Sequence, residues 1–214
     1  MKRLFLTIIL SIIFSCNSTQ LTEQWKNPDI ENYSPKKIFI IGLTSNIEAR
    51  EKFENQIKNQ LELRHIESVS SLEFLDPQFR TEMMTKIQFM NLELDLIEAG
   101  FDTILFSKVI GVEDKIVYRQ NYKKHHETNI NFSEDYLKYQ DQFYNPNDYN
   151  EYQIYNAETT MFCICPNKEH SIVWKGYVSI TDPRSIEKTV NEYVNLVIAV
   201  LENQKLIDAT ETTK

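Results

Sequence analysis

Apolar and polar positions divide this chain into segments of distinct period. "KKIFIIGLT", Lys36 to Thr44, is a short, β-branched apolar run, the mark of a strand covered on both faces. In "SNIEAREKFENQIKNQLELR" the residues Ala49, Phe53, Ile57 and Leu61 recur every four positions. That spacing puts one apolar stripe on a helix, with Glu51, Lys52, Glu54 and Lys58 expected to face away. Ser45 or Asn46 supplies an oxygen for the amino-terminal cap. A short strand is expected near Ile66–Val69. "TEMMTKIQFMNLELDLIEAG" then predicts a helix from a cap at Thr81 to Gly100, with Met84, Ile87, Phe89, Leu92 and Ile97 as its apolar bulk. "FDTILFSKVIGV" is a second buried strand, which completes a βαβ rhythm.

Beyond residue 113 the order changes. Residues 113–151 are polar and rich in tyrosine. "EYQIYNAETTMFCIC" and "HSIVWKGYVSIT" follow as two long strands, joined through Pro166 to Glu169 as a hairpin. Alternation places Ile172, Trp174, Val178 and Ile180 on one face of the second. In the closing segment Ile186, Val190, Val194, Val197, Ile198 and Leu201 form the apolar side of a long helix, with Asp182 and Ser185 as cap candidates. The pattern predicts one α/β domain over residues 36–207: a mixed sheet with an antiparallel hairpin, flanked by amphipathic helices. It carries a tyrosine-rich insertion at about 113–151 and ends in a frayed tail at 208–214.

The start of the chain reads differently. Lys2 and Arg3 precede an apolar run from Leu4 to Phe14, interrupted by Thr7 and Ser11. A bilayer span needs roughly 20 apolar residues; this run has the length of a signal-peptide core. Residues 1–15 are therefore expected to be an export signal. "NSTQLTEQWKNPDIENYSP" is polar and without clear period, so residues 16–35 are expected to form a flexible tether.

The run ends at "IFSC", Ile13 to Cys16, which resembles a bacterial lipobox, although Phe14 is bulkier than usual at its position. The resemblance implies acylation of Cys16 and cleavage before it. The physics fits, because two or three acyl chains hold a protein on a membrane where one does so only marginally. The uncharged Asn17 to Gln20 departs from the acidic surface-export tag of Bacteroidota lipoproteins, which implies retention on the periplasmic face of the outer membrane. The domain as a whole resembles small envelope lipoproteins similar to the amino-terminal domain of the Tol-system β-propeller protein. The "IFIIGLT" strand, the "AREKFENQI" helix, the "SIVWKGYV" hairpin strand and the long closing helix carry that resemblance, which implies a fold and a setting and no catalytic motif.

Composition narrows the partners. The 214 residues carry a formal net charge of −8. An acidic chain repels phosphate backbones, so nucleic acid is not an expected partner. It also disfavours broad adsorption to anionic lipid heads, so membrane contact is expected through acylated Cys16. Gly42, Gly100, Gly111 and Gly176 are the only glycines. No glycine-rich phosphate cradle, nucleophile elbow or zinc-protease helix is present, and no cofactor is implied.

Three segments hold candidate chemistry. Cys163 and Cys165 share a face of an extended strand. A zinc site needs about four ligands and no second pair exists, so no metal is expected. Their Cα atoms would stand about 7 Å apart in a strand, the limit for a bridge; buried thiols are the favoured reading and a disulfide the alternative. His125 and His126 are adjacent and flanked by Lys123, Lys124 and Glu127, which reads as an exposed polar loop. "NFSEDYLKYQDQFYNPNDYNEYQIY" concentrates tyrosines. Tyr136, Tyr139, Tyr144, Tyr149 and Tyr152 are candidates for a recognition surface that binds an envelope protein or a glycan, since tyrosine joins a rigid apolar body to a polar tip. The alternative is an insertion packed on its own domain. The functional expectation is a non-enzymatic, lipid-anchored envelope protein with a binding or assembly role. The alternative is a periplasmic glycan hydrolase using carboxylates such as Glu134, Asp135 or Asp148, two of which would have to flank a cleft.

Overall fold

In the computed structural model, residues 19–30, 32–80, 82–114, 131–137, 153–165, 171–181, 183 and 185–209 are described. They form a six-stranded mixed sheet covered on both faces by helices, in agreement with the α/β architecture expected from the pattern. The strands are β1 (Thr19–Lys26), β2 (Lys37–Leu43), β3 (Glu67–Ser70), β4 (Thr103–Asp114), β5 (Gln153–Cys163) and β6 (Ser171–Thr181). The helices are α1 (Ile47–Glu62), α2 (Ser71–Phe74), α3 (Lys86–Glu98), α4 at residues 132–137 and α5 (Ile186–Asn203), and a short 3-10 turn lies at Pro77–Arg80.

The strand order is β1-β6-β5-β4-β2-β3. β2 runs parallel to β3 and β4, and the remaining neighbours are antiparallel. Period two divides the core between the sheet's faces. Ile38, Ile40 and Leu105 meet Phe53, Ile57 and Leu61 of α1 and Val194, Val197 and Leu201 of α5. Phe39, Ile41, Ile104 and Phe106 meet Phe89, Leu92 and Leu96 of α3 and Phe132 and Tyr136 of α4.

Several local expectations hold and several are corrected. Asn46 and Ser185 are the caps, each accepting a backbone N–H three residues on. α3 begins at Lys86, not near Thr81, because Thr85 and Gln88 form a capping box, which satisfies two end donors reciprocally. On α3, Phe89, Leu92 and Leu96 are buried, whereas Ile87 is 71% exposed. Glu54, expected on the outer face of α1, is fully buried.

Residues 19–26 are not tether but the edge strand β1, paired from Thr19 opposite Ile180 to Lys26 opposite Trp174 with a register shift between Leu21 and Glu23. Tyr33 is also tied down, its hydroxyl 2.6 Å from Thr103 Oγ1. Ile172 does not share a face with Trp174. The register steps from Met161 opposite Trp174 to Phe162 opposite Ile172, which leaves Val173 as an extra residue. A bulge of this kind reverses which side the following residues point to: Trp174, Val178 and Ile180 join the α1/α5 core and Ile172 the opposite one.

Cys163 and Cys165 form a disulfide, with Cα atoms 5.4 Å apart. β5 ends at Cys163, and the backbone bends there, with Ile164 N donating to Asp102 O. That bend brings the two closer than an extended strand allows.

Candidate functional site

In open α/β sheets the crevice outside the carboxyl ends of the strands, where strand order reverses, is where ligands bind. Here that point lies between β2 and β4. The chain leaves β2 through α1 on one face to reach β3, then returns through α3 on the other face to β4. A cavity of about 300 Å³ opens there, at the small end of the usual range for ligand pockets.

Six elements and two connections contribute walls. The end of β2 gives Gly42 and Leu43, and Thr44 follows it. β4 gives Ser107, Lys108 and Val109, α1 gives Ala49, Arg50 and Phe53, β5 gives Tyr155 and Ala157, β6 gives Ile180, Pro183 follows it, and α5 gives Ile186, Val190 and Tyr193. The amino-terminal ends of α1 and α5 both meet this space. The backbone at Gly42 is closely approached: a Cβ there would stand 3.1 Å from Phe53 Cδ1, so the ring would have to give by a few tenths of an ångström.

The lining is mainly apolar, and two hydrogen-bonded polar networks border it. On one side Thr159 Oγ1 stands 2.7 Å from Ser107 Oγ and 2.7 Å from Tyr193 Oη, a chain of three buried hydroxyls. Burial pushes the Tyr193 hydroxyl up to about 12 against the opposing hydrogen bonds of Thr159 and Ser107, so it remains a neutral donor or acceptor at ordinary pH. On the other side is Arg50, whose Nε donates to Glu54 Oε1 at 2.9 Å and whose Nη2 donates to Ser71 Oγ at 2.8 Å. Glu54 also accepts from Gly42 N at 2.9 Å, Ser70 Oγ at 2.6 Å, Ser71 Oγ at 2.8 Å and Leu72 N at 3.2 Å. This network ties α1 to the ends of β2 and β3 and fixes one wall of the cavity. Such a constellation can bind and orient a ligand.

A second buried polar cluster lies on the opposite face of the sheet. Lys108 Nζ donates to Asp135 Oδ2 at 2.5 Å and to Glu158 Oε1 at 2.7 Å, and Lys175 Nζ stands 3.4 Å from Glu158. Thr160 Oγ1 donates to Glu158 at 2.8 Å. Burial raises the Asp135 carboxyl above its ordinary value, against the pull of Lys108. Burial acts on Glu158 in the same sense, but Lys108, Lys175 and Thr160 outweigh it and hold that carboxyl below the ordinary value. Each group is matched, so the cluster serves to fasten α4 to β4 and β5.

The residues singled out from the sequence fare differently. Tyr136 is 1% exposed and packs against Phe89 and Phe106, so it belongs to the core and not to a surface. Tyr139, Tyr144, Tyr149 and Tyr152 lie outside the described residues, as do Cys16, His125, His126 and Asp148. Asp135 is engaged with Lys108, while its neighbour Glu134 is exposed; the two described carboxylates of the hydrolase set stand in different surroundings. Among the described residues no group of His, Cys, Asp or Glu is placed to hold a metal ion, and no helix is long and apolar enough to cross a membrane. The cavity was not foreseen, because its walls are drawn from positions as distant as Gly42 and Tyr193.

No family model and no curated protein matches the chain. Among solved structures it is similar to the PelC dodecamer from Paraburkholderia phytofirmans, at 11% identity and a TM-score of 0.43 over 87% of this chain and 96% of that one. It is likewise similar to lipoprotein GNA1162 from Neisseria meningitidis, at 12% identity and a TM-score of 0.41 over 79% and 98% of the two chains. At these identities and scores the likeness carries neither a family nor an activity to this chain.

Proposed function

We propose that this is a lipid-anchored envelope protein without catalytic activity, which binds a small, largely apolar ligand in the cavity between β2 and β4. The observation that carries the reading is the cavity itself: about 300 Å³, at the strand-order reversal, walled by Leu43, Phe53, Ile186, Val190 and Tyr193. The address rests on "IFSC" at Ile13–Cys16, with acylated Cys16 holding the domain to the outer membrane on its periplasmic side. The tyrosine-rich stretch, through Tyr139, Tyr144, Tyr149 and Tyr152, serves as a contact for an envelope protein or glycan.

Two measurements test the two halves. In membrane fractions of the native cell, the wild-type protein is expected with acyl mass and Cys16→Ser without it; a soluble, unmodified wild type overturns the anchor. For the cavity, 1-octanol is expected to raise the melting temperature of the wild type and not of Ala49→Phe, which fills the space from α1. No response in either protein overturns the binding reading.

A further inference from the structure

Arg50 lines the cavity and is only 5% exposed. A guanidinium carries five N–H donors in a planar fork. Nε and one hydrogen of Nη2 are used on Glu54 and Ser71. The other donors, both of Nη1 among them, make no hydrogen bond to a described residue. Nη1 is not among the buried unpartnered atoms of the described residues, so it reaches open space, and the space that Arg50 lines is the cavity. Glu54 has no oxygen to spare for these donors, because it also serves Gly42 N, Ser70, Ser71 and Leu72 N. An acceptor can reach them from the cavity.

We infer that the ligand of this cavity is a small apolar molecule with a carboxylate head, its oxygens accepting hydrogen bonds from the spare donors of Arg50 and its body lying along Phe53, Ile186, Val190 and Tyr193. The inference rests on the cavity being a binding site. Arginine is suited to such a head because its donors engage both oxygens of a carboxylate. The amino-terminal end of α1 reinforces the choice: Asn46 and Ala49 line the same cavity, and the positive end of a helix dipole favours an anion. Lys108 also lines the cavity, but its ammonium is taken up by Asp135 and Glu158, which leaves Arg50 as the group that meets the anionic head.

The test compares octanoate with 1-octanol by calorimetric titration of the full chain carrying Cys16→Ser, which keeps acyl groups and detergent out of the cell. Octanoate is expected to bind about tenfold to a hundredfold more tightly than the alcohol, the value of a charge-assisted hydrogen bond. Equal binding, or tighter binding of octanol, overturns the carboxylate inference and leaves the cavity reading intact. Binding of neither removes both. Arg50→Lys keeps the charge but loses the fork, and is expected to erase the preference for octanoate while octanol binding persists. Should Arg50→Lys fail to fold, the acid-against-alcohol comparison on the unsubstituted cavity decides.

Discussion

The indole of Trp174 lies over Gly176 two residues along the same strand: a Cβ built on Gly176 would stand 2.4 Å from Trp174 Cη2. The ring is held there by the α1/α5 core and by Nε1 donating to Gln24 Oε1 at 3.3 Å. Gly176→Ala therefore forces a large buried ring to move, and overpacking of this kind costs about 1–3 kcal/mol. Denaturant unfolding of the variant is expected to show that loss. An unchanged midpoint would mean the ring has room to turn aside.

Lys108 serves two buried carboxylates at once. Lys108→Met strands Asp135 and weakens the pairing of Glu158, and breaking a buried pair by removing one partner costs about 3–5 kcal/mol. Asp135→Asn is expected to cost less, because Lys108 keeps Glu158. The ordering is read from the midpoints of equilibrium unfolding of the two variants.

The same cluster predicts opposite pH dependences. Glu158 ionises more readily in the folded protein, so its contribution is complete above the ordinary glutamate value of 4.5 and disappears as pH falls through its lower folded value. Asp135 keeps its proton longer in the folded protein, so its contribution is complete below the ordinary 3.8 and declines as pH rises through its higher folded value. By linkage, wild type should lead Glu158→Gln by more at neutral than at acid pH. Its lead over Asp135→Asn should be larger at acid pH and shrink as pH rises. Chemical denaturation at a series of pH values separates the two trends.

The bridge between Cys163 and Cys165 gives a direct chemical expectation. In the Cys16→Ser chain, unfolded without reductant, a maleimide should add nothing; after reduction it should add twice. Labelling of both before reduction would show free thiols.

Surface and core of α3 are separated by one residue. Leu96 is fully buried while Leu94 is 59% exposed. Leu96→Ala is expected to cost about 2–5 kcal/mol, whereas Leu94→Lys should stay within about 0.5 kcal/mol of wild type. Thermal unfolding of both measures the contrast.

Much of the architecture was legible because it is written locally. The run Ile38 to Ile41 and the stripe Phe53, Ile57, Leu61 each name their own structure, since continuous burial and a four-residue repeat are properties of one segment. β1 was not legible for the opposite reason. "TQLTEQWK" is an edge strand, buried on at most one side, and what makes it a strand is a partner at Ser171–Thr181. Glu54 was misplaced because its charge predicts an outer face, whereas five surrounding residues donate to it. The bend at Ile164 that closes the disulfide, and the bulge that turns Ile172 away from Trp174, both depend on pairing across the sheet. The cavity is the extreme case, since no two of its elements are read together until the sheet exists.

The pairing of β1 also sets an order in time. Thr19 finds its place opposite Ile180, so the outermost strand cannot be laid down until almost the entire chain has been synthesised. Until then the amino-terminal residues have no template to join, and long-range pairing of this kind is slow to form. The edge beside β6 therefore cannot be capped before Ser171–Thr181 has been made.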